Sequence, residues 1–235
     1  MAMSEQAITQ QAPSLLIMTR YDGIQVVAQE EEKGSEVEVK KHTPRKLPKV
    51  LSPKMVEKLF AEINIKCSSG LRNRAMLEIM LRAGLRISEM CSLVPGNIDF
   101  DEKMIHVING KGGVDRNIPI GPCLIEWLQK WDAIRPQRSE YFFCAVNKRT
   151  PILPRYVNQV LERLSERSGV YLQEGLEKMP VSNHKLRHTY ACGLLREGFN
   201  LPEIQRLMGH KSINTTMVYL SVSMEDLKAK IEKMG

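Results

Sequence analysis

HKLRHTY, residues 184–190, sets His184, Arg187 and His188 within five positions of what reads as a helix. Ser182 stands where an N-cap belongs, and Leu186, Tyr190, Leu194 and Leu195 recur at helical spacing up to Gly198. His184 and Arg187 are then i and i+3, on one side of the same turn. A solvated face that happens to carry His and Arg is the plain alternative, so the rest of the chain has to decide.

With 235 residues, 43% of them hydrophobic, the chain can bury a core as one domain with an appendage or as two small domains. Its formal net charge of +7 favours a polyanionic partner, nucleic acid first among them. The five cysteines, Cys67, Cys91, Cys123, Cys144 and Cys192, form no CxxC pair and are odd in number. That pattern argues against a zinc cluster and a disulfide framework and fits a reducing cytoplasm. No apolar run approaches the roughly 20 residues that cross a bilayer, so no membrane role is expected.

Along the chain, residues 1–47 read as an N-terminal arm and charged linker, and residues 48–235 as the main domain. In the arm, LLIMTR and IQVVAQ flank Tyr21-Asp22-Gly23 like two short strands, followed by acidic EEEKGSEVE and basic KKHTPRKLPK. In the main domain, helices are expected over 52–63, 72–84, 122–133, 154–168, 182–198, 201–208, 212–220 and 224–233. A short helix is also expected around ISEMCSLV, residues 87–94. MIHVI and RNIPI alternate as strands about NGKGGVD, a hairpin carrying Lys111 in its glycine-rich turn. Met76, Met80, Met90, Trp127 and Trp131 fall at helical spacings with other apolar residues and read as core. The fold class is therefore α+β, mostly α-helical, with a small antiparallel sheet.

Four further stretches carry polar residues of chemical interest: AGLRISE with Arg86, NGKGG with Lys111, LMGHKS with His210, and NTTMVYLS with Tyr219. Singly, each has an ordinary explanation as an ion pair, a solvated turn, a helix terminus or a core ring. In order, though, Arg86, Lys111, His184-x-x-Arg187, Gly209-His210 and Tyr219 resemble the tyrosine recombinases, the phage-integrase and Xer-like family. The resemblance covers residues 47–235 and extends to the nine-residue step from His210 to Tyr219. It implies the family's catalytic domain, closed by a C-terminal helix.

It also implies a chemistry that explains these residue types. Arg86 and Arg187 would clamp the non-bridging oxygens of a phosphodiester, because guanidinium forks match them bidentately. His210 would donate to the same phosphate, and His184 would accept or position the phenol proton. Tyr219 would attack as the nucleophile, its phenolate favoured by the nearby cations. Lys111 would protonate the leaving 5′-oxygen; Lys103, before the strand, is its fallback. The product would be a covalent 3′-phosphotyrosine, formed without metal or other cofactor. Glu89, three residues after Arg86, reads as orienting that arginine. His188 reads as a packing or hydrogen-bonding group, and Lys185 as a phosphate contact or a solvated cation.

The implied partners are double-stranded DNA and further copies of this chain in a synaptic tetramer. The departure is N-terminal: members of the family usually carry a separate helical core-binding domain, and the stretch before Leu47 is too short and strand-like for one. A truncated or minimal member is therefore expected. Two rivals stand beside site-specific recombination: a type IB-like topoisomerase, and a DNA-binding regulator that forms no covalent bond.

Overall fold

The computed structural model describes residues 20–21, 24–25, 50–108, 115–147, 149–174 and 176–209. The chain divides into two compact units, Met1–Lys46 and Leu47–Gly235. In the first, β1 (Arg20–Tyr21) pairs antiparallel with β2 (Ile24–Gln25), as expected on either side of Asp22-Gly23.

The second unit starts with α1 (Pro53–Ala61), where the Ser52 Oγ accepts the Met55 N–H at 3.3 Å and Pro53 occupies the first turn without sacrificing a donor. α2 (Ser68–Arg82) is the central helix. It starts four residues before the stretch that periodicity marks, because Ser68-Ser69-Gly70 supplies its first turn without adding apolar side chains. Ala75, Met76, Leu77, Ile79 and Met80 are fully buried, so α2 is covered around most of its circumference; α4 and α6 pack on it. Burying each large side chain of this set contributes roughly 1.5–3 kcal/mol relative to exposure.

After α3 (Ile87–Cys91) and a 3-10 turn at Pro95–Asn97, three strands form an antiparallel sheet in the order β3 (Ile98–Asp99), β4 (Met104–Val107), β5 (Arg116–Pro119). Its register sets Ile105 opposite Ile118 and Val107 opposite Arg116. Ile105, Val107 and Ile118 point into the core. The turn with Lys111 lies outside the described residues.

α4 (Pro122–Asp132) follows Gly121, and its Trp131 is fully buried with the indole N–H donating to the Phe142 carbonyl at 2.9 Å. α5 (Pro154–Ser168) ends on Gly169 in the left-handed region. A hairpin then forms from β6 (Tyr171–Glu174) and β7 (Glu177–Pro180), an element the sequence reading lacks. Most of β7 is exposed and polar, so no hydrophobic alternation marks it.

α6 (Asn183–Arg196) carries HKLRHTY. Ser182 is its N-cap, but the expected side-chain cap is absent; its carbonyl accepts from Lys185 and Leu186 instead. α7 (Leu201–Met208) opens on a complete capping box, Asn200 with Glu203, at 2.9 and 2.8 Å. Ala191 and Cys192 of α6 pack on Ile204 and Met208 of α7. Met76, Met80, Met90 and Trp131 are core, as expected; Trp127 is half-buried at the edge. The helices expected over 212–220 and 224–233 lie outside the described residues. The fold is α+β and mostly helical.

Candidate active site

α2 ends at Arg82 with Ala83 as its C-cap, and Gly84 turns the chain with φ +61°, a conformation that costs glycine little. A Cβ at Gly84 would lie 2.3 Å from Cδ1 of Tyr190, so space as well as backbone requires glycine. This tight turn brings Arg86, the N-cap residue of α3, towards the C-terminal end of α7.

That end is where the arginines meet. Leu207, Met208 and Gly209 present successive carbonyls, and a different guanidinium takes each. Arg116 Nε donates to Leu207 O at 2.8 Å, Arg187 Nη2 donates to Met208 O, and Arg86 Nη2 donates to Gly209 O at 2.7 Å. A helix C-terminus concentrates partial negative charge and orphan acceptors, which is why cations gather there. Arg187 also donates through Nη1 to Gly84 O, which joins α6 to the turn after α2.

One carboxylate balances this group. Glu89 accepts both Nη1 and Nη2 of Arg116 at 2.9 and 2.8 Å, Arg86 Nη1 at 2.7 Å, and the Arg86 backbone N–H at 2.7 Å. Burial alone would raise the Glu89 pKa, but the Arg116 hydrogen bonds and charge, with the two Arg86 donors, outweigh it and hold the carboxyl at about 2. The expectation that Glu89 orients Arg86 matches these contacts. Arg116 is the residue that sequence reasoning missed. Its signal was available: in β5 it alternates onto the same inward face as Ile118, and a guanidinium there needs a buried partner.

Of the residues singled out from the sequence, the structure brings Arg86 and Arg187 together at α7. Arg187 is buried, whereas the Arg86 side chain is 23% exposed. His184 lies in the first turn of α6 and is exposed. Lys111, His210 and Tyr219 lie outside the described residues, although His210 follows Gly209 directly in sequence. Burial, then Lys185, His184 and Arg187, lower the His188 pKa to about 4, so its ring is neutral near pH 7. Lys103 occupies the turn before β4 with φ +54°.

Among the described residues, Arg86 and Arg116 share the Glu89 carboxylate while Arg187 meets them at the end of α7, a cationic group that suits an oxyanion. A cleft of about 590 Å³ opens beside them, lined in part by Arg116, Asn117, Gln205, Arg206 and Gly209. Among the described residues no three His, Cys, Asp or Glu side chains gather as a metal ion would require, and no helix is long and apolar enough to cross a membrane.

The model of the phage integrase family matches residues 49–226. The tyrosine recombinase XerD of Ralstonia nicotianae is 33% identical over 190 residues, covering 79% of this chain and 59% of that protein. XerA of Thermococcus kodakarensis is 34% identical over 192 residues, covering 81% and 64%. The chain thus spans less than two thirds of the length of these relatives. A crystal structure of XerA recombinase superposes with a TM-score of 0.65 at 26% identity, covering 81% of this chain and 66% of that one. The XerH recombinase in a post-cleavage complex with difH shares the fold at TM-score 0.64 and 24% identity, over 79% of this chain and 53% of that one.

Proposed function

Because the chain belongs to the phage integrase family, we propose that it breaks and rejoins double-stranded DNA at specific sites through a covalent 3′-phosphotyrosine. The observation that carries this reading is the convergence of Arg86 and Arg187 on the last carbonyls of α7, immediately before His210. Two guanidiniums fixed against a helix end suit a phosphodiester whose non-bridging oxygens gain charge under attack.

In this reading Arg86 and Arg187 clamp the phosphate, and His210, next in sequence after Gly209, adds a donor. Tyr219 attacks the phosphorus, His184 accepts or positions the phenol proton, and Lys111 protonates the departing 5′-oxygen. Religation reverses these steps and needs no nucleotide cofactor, because the phosphotyrosine bond retains the energy of the broken one. Residues 48–235 form the catalytic domain with its C-terminal helix, and residues 1–47 an arm and linker. Four copies act on two duplexes in a synaptic tetramer.

A duplex nicked just downstream of the scissile position tests the reading, because loss of the short fragment that bears the free 5′-hydroxyl removes the religating nucleophile and traps the adduct. The parent chain gives a denaturation-resistant protein–DNA complex in excess chelator, and Tyr219→Phe binds the duplex without forming one. An adduct from the Phe variant, or cleavage that returns only with magnesium, would overturn it.

A further inference from the structure

Arg116 is buried, yet every partner of its guanidinium belongs to the site. One edge takes both oxygens of Glu89, and Nε takes the carbonyl of Leu207. We propose that Arg116 is a positioning residue for strand cleavage, fixing Arg86 through Glu89 and the α7 terminus through Leu207. The inference relies on the strand-cleaving reading for its consequence and on the geometry alone for its cause.

Glu89 is buried. A buried carboxylate needs cationic partners, and among the described residues Arg86 and Arg116 supply them. With Arg116 present, Glu89 divides its charge between two guanidiniums, and Arg86 retains Nη2 for Gly209 O. Without Arg116, the whole carboxylate falls to Arg86. A clamp neutralised in this way offers less charge to a phosphate.

The second effect is mechanical. Arg116 lies so close to Gly209 that a Cβ there would stand 2.9 Å from its Nη1 and 3.1 Å from its Cζ. Gly209 itself takes φ +60° and closes α7 through its N–H to Arg206 O. Arg116 therefore ties β5 to the turn that leads into His210, and β5 is one arm of the hairpin that carries Lys111. One side chain thus fixes β5, the α7 terminus and, through Glu89, a clamp arginine relative to one another. Lysine cannot replace it, since a single ammonium lacks the planar fork that takes both Glu89 oxygens while a third nitrogen reaches Leu207.

The test uses the full chain with Arg116→Met and Arg116→Lys. Single-turnover cleavage of the nicked duplex is measured at saturating DNA, binding of the same duplex is measured in the Tyr219→Phe background, and amide hydrogen exchange is followed without DNA. Both variants should lose about 100-fold in the saturating cleavage rate, the scale of a roughly 1 Å misplacement. The dissociation constant should stay near the parent's, and exchange should rise in peptides covering 84–91 and 204–210 while α2 and α4 keep their protection. An unchanged saturating rate, a loss confined to binding, or exchange raised throughout both variants would overturn the proposal. If the parent chain forms no adduct on any duplex offered, the strand-cleaving reading falls; exchange in the two peptides then still decides whether Arg116 positions Arg86 and Gly209.

Discussion

Two buried carboxylates in this molecule are each held by two arginines, and they serve different ends. Glu78, in the middle of α2, takes Arg74 and Arg82 from one turn either side, at 2.7 and 2.6 Å. Arg74 is stacked between the rings of Phe60 and Trp127, 4.5 Å from each centroid. This is a local staple within one helix, its main guanidinium covered by aromatic faces. Glu89 also takes two arginines, but Arg116 comes from a distant strand, and both arginines go on to bond α7. The same chemical motif holds one helix together in the first case and joins three elements at an anion-ready surface in the second. The difference lies in where the second edge of each guanidinium points.

The largest difference between the two clusters is expected at their arginines. Arg187→Ala should reduce strand cleavage by about 10³-fold or more, the scale of one well-placed guanidinium in phosphoryl transfer. Arg74→Ala should leave the cleavage rate near the parent's and lower only the unfolding free energy. Single-turnover rates beside urea denaturation check both, and comparable losses of cleavage would erase the distinction.

A smaller effect is expected at the carboxylates. Glu89→Gln should slow cleavage by roughly 10²-fold through Arg86. Glu78→Gln should cost about 1–3 kcal/mol of stability with cleavage retained, as a charge-assisted hydrogen bond weakens. Chemical denaturation and the nicked-duplex assay read the two effects separately.

The pH dependence sharpens the contrast further. Glu89 has its pKa depressed from 4.5 to about 2, so its contribution to stability is complete above pH 4.5 and is lost as pH falls through 2. His188 is depressed from 6.5 to about 4, so the unfolded chain binds the extra proton between these values and stability falls on acidification across that window. His188→Gln should flatten the melting temperature between pH 4 and 6.5, whereas Glu89→Gln should lower it across that range and lose the parent's further decline between pH 4.5 and 2. Melting curves across pH 2–7 check both.

The smallest effect is a labelling pattern. Cys67 and Cys123 are exposed, and the Ser69 hydroxyl, then the Gly70 backbone, lower the Cys67 thiol pKa. Cys91 and Cys192 are buried, and burial raises their thiols to about 11. Alkylation followed by peptide mapping should modify Cys67 and Cys123 in the native chain and leave Cys91, Cys144 and Cys192 protected until it unfolds.

The helical framework was legible because its signals are local. Pro53, Pro122 and Pro154 mark first turns, Gly84 and Gly198 follow helix ends, and apolar spacing fills the intervals. The β6–β7 hairpin was not legible, since its exposed, polar second strand buries no face that could set a period. Arg86 and Arg187 stood out through motif wording, and the structure brings them to one helix end. Arg116 went unnoticed because strand alternation marks it only as inward-facing, and its partners are 27 and 91 residues away in sequence. Ser182 shows the reverse failure: the right residue type stands at the N-cap, yet its carbonyl rather than its hydroxyl joins the helix.

The carbonyls of Leu207, Met208 and Gly209 fix how the thermodynamic burden of this site is distributed. A free arginine side chain gives up as much as about 2 kcal/mol of rotamer entropy when it is immobilised. Here Arg86, Arg116 and Arg187 are immobilised by backbone acceptors in the DNA-free chain, so that loss falls on folding and leaves stability lower. On the strand-cleaving proposal, an incoming phosphate would meet Arg86 and Arg187 with their orientation already settled, and its encounter with the site would carry little further ordering cost.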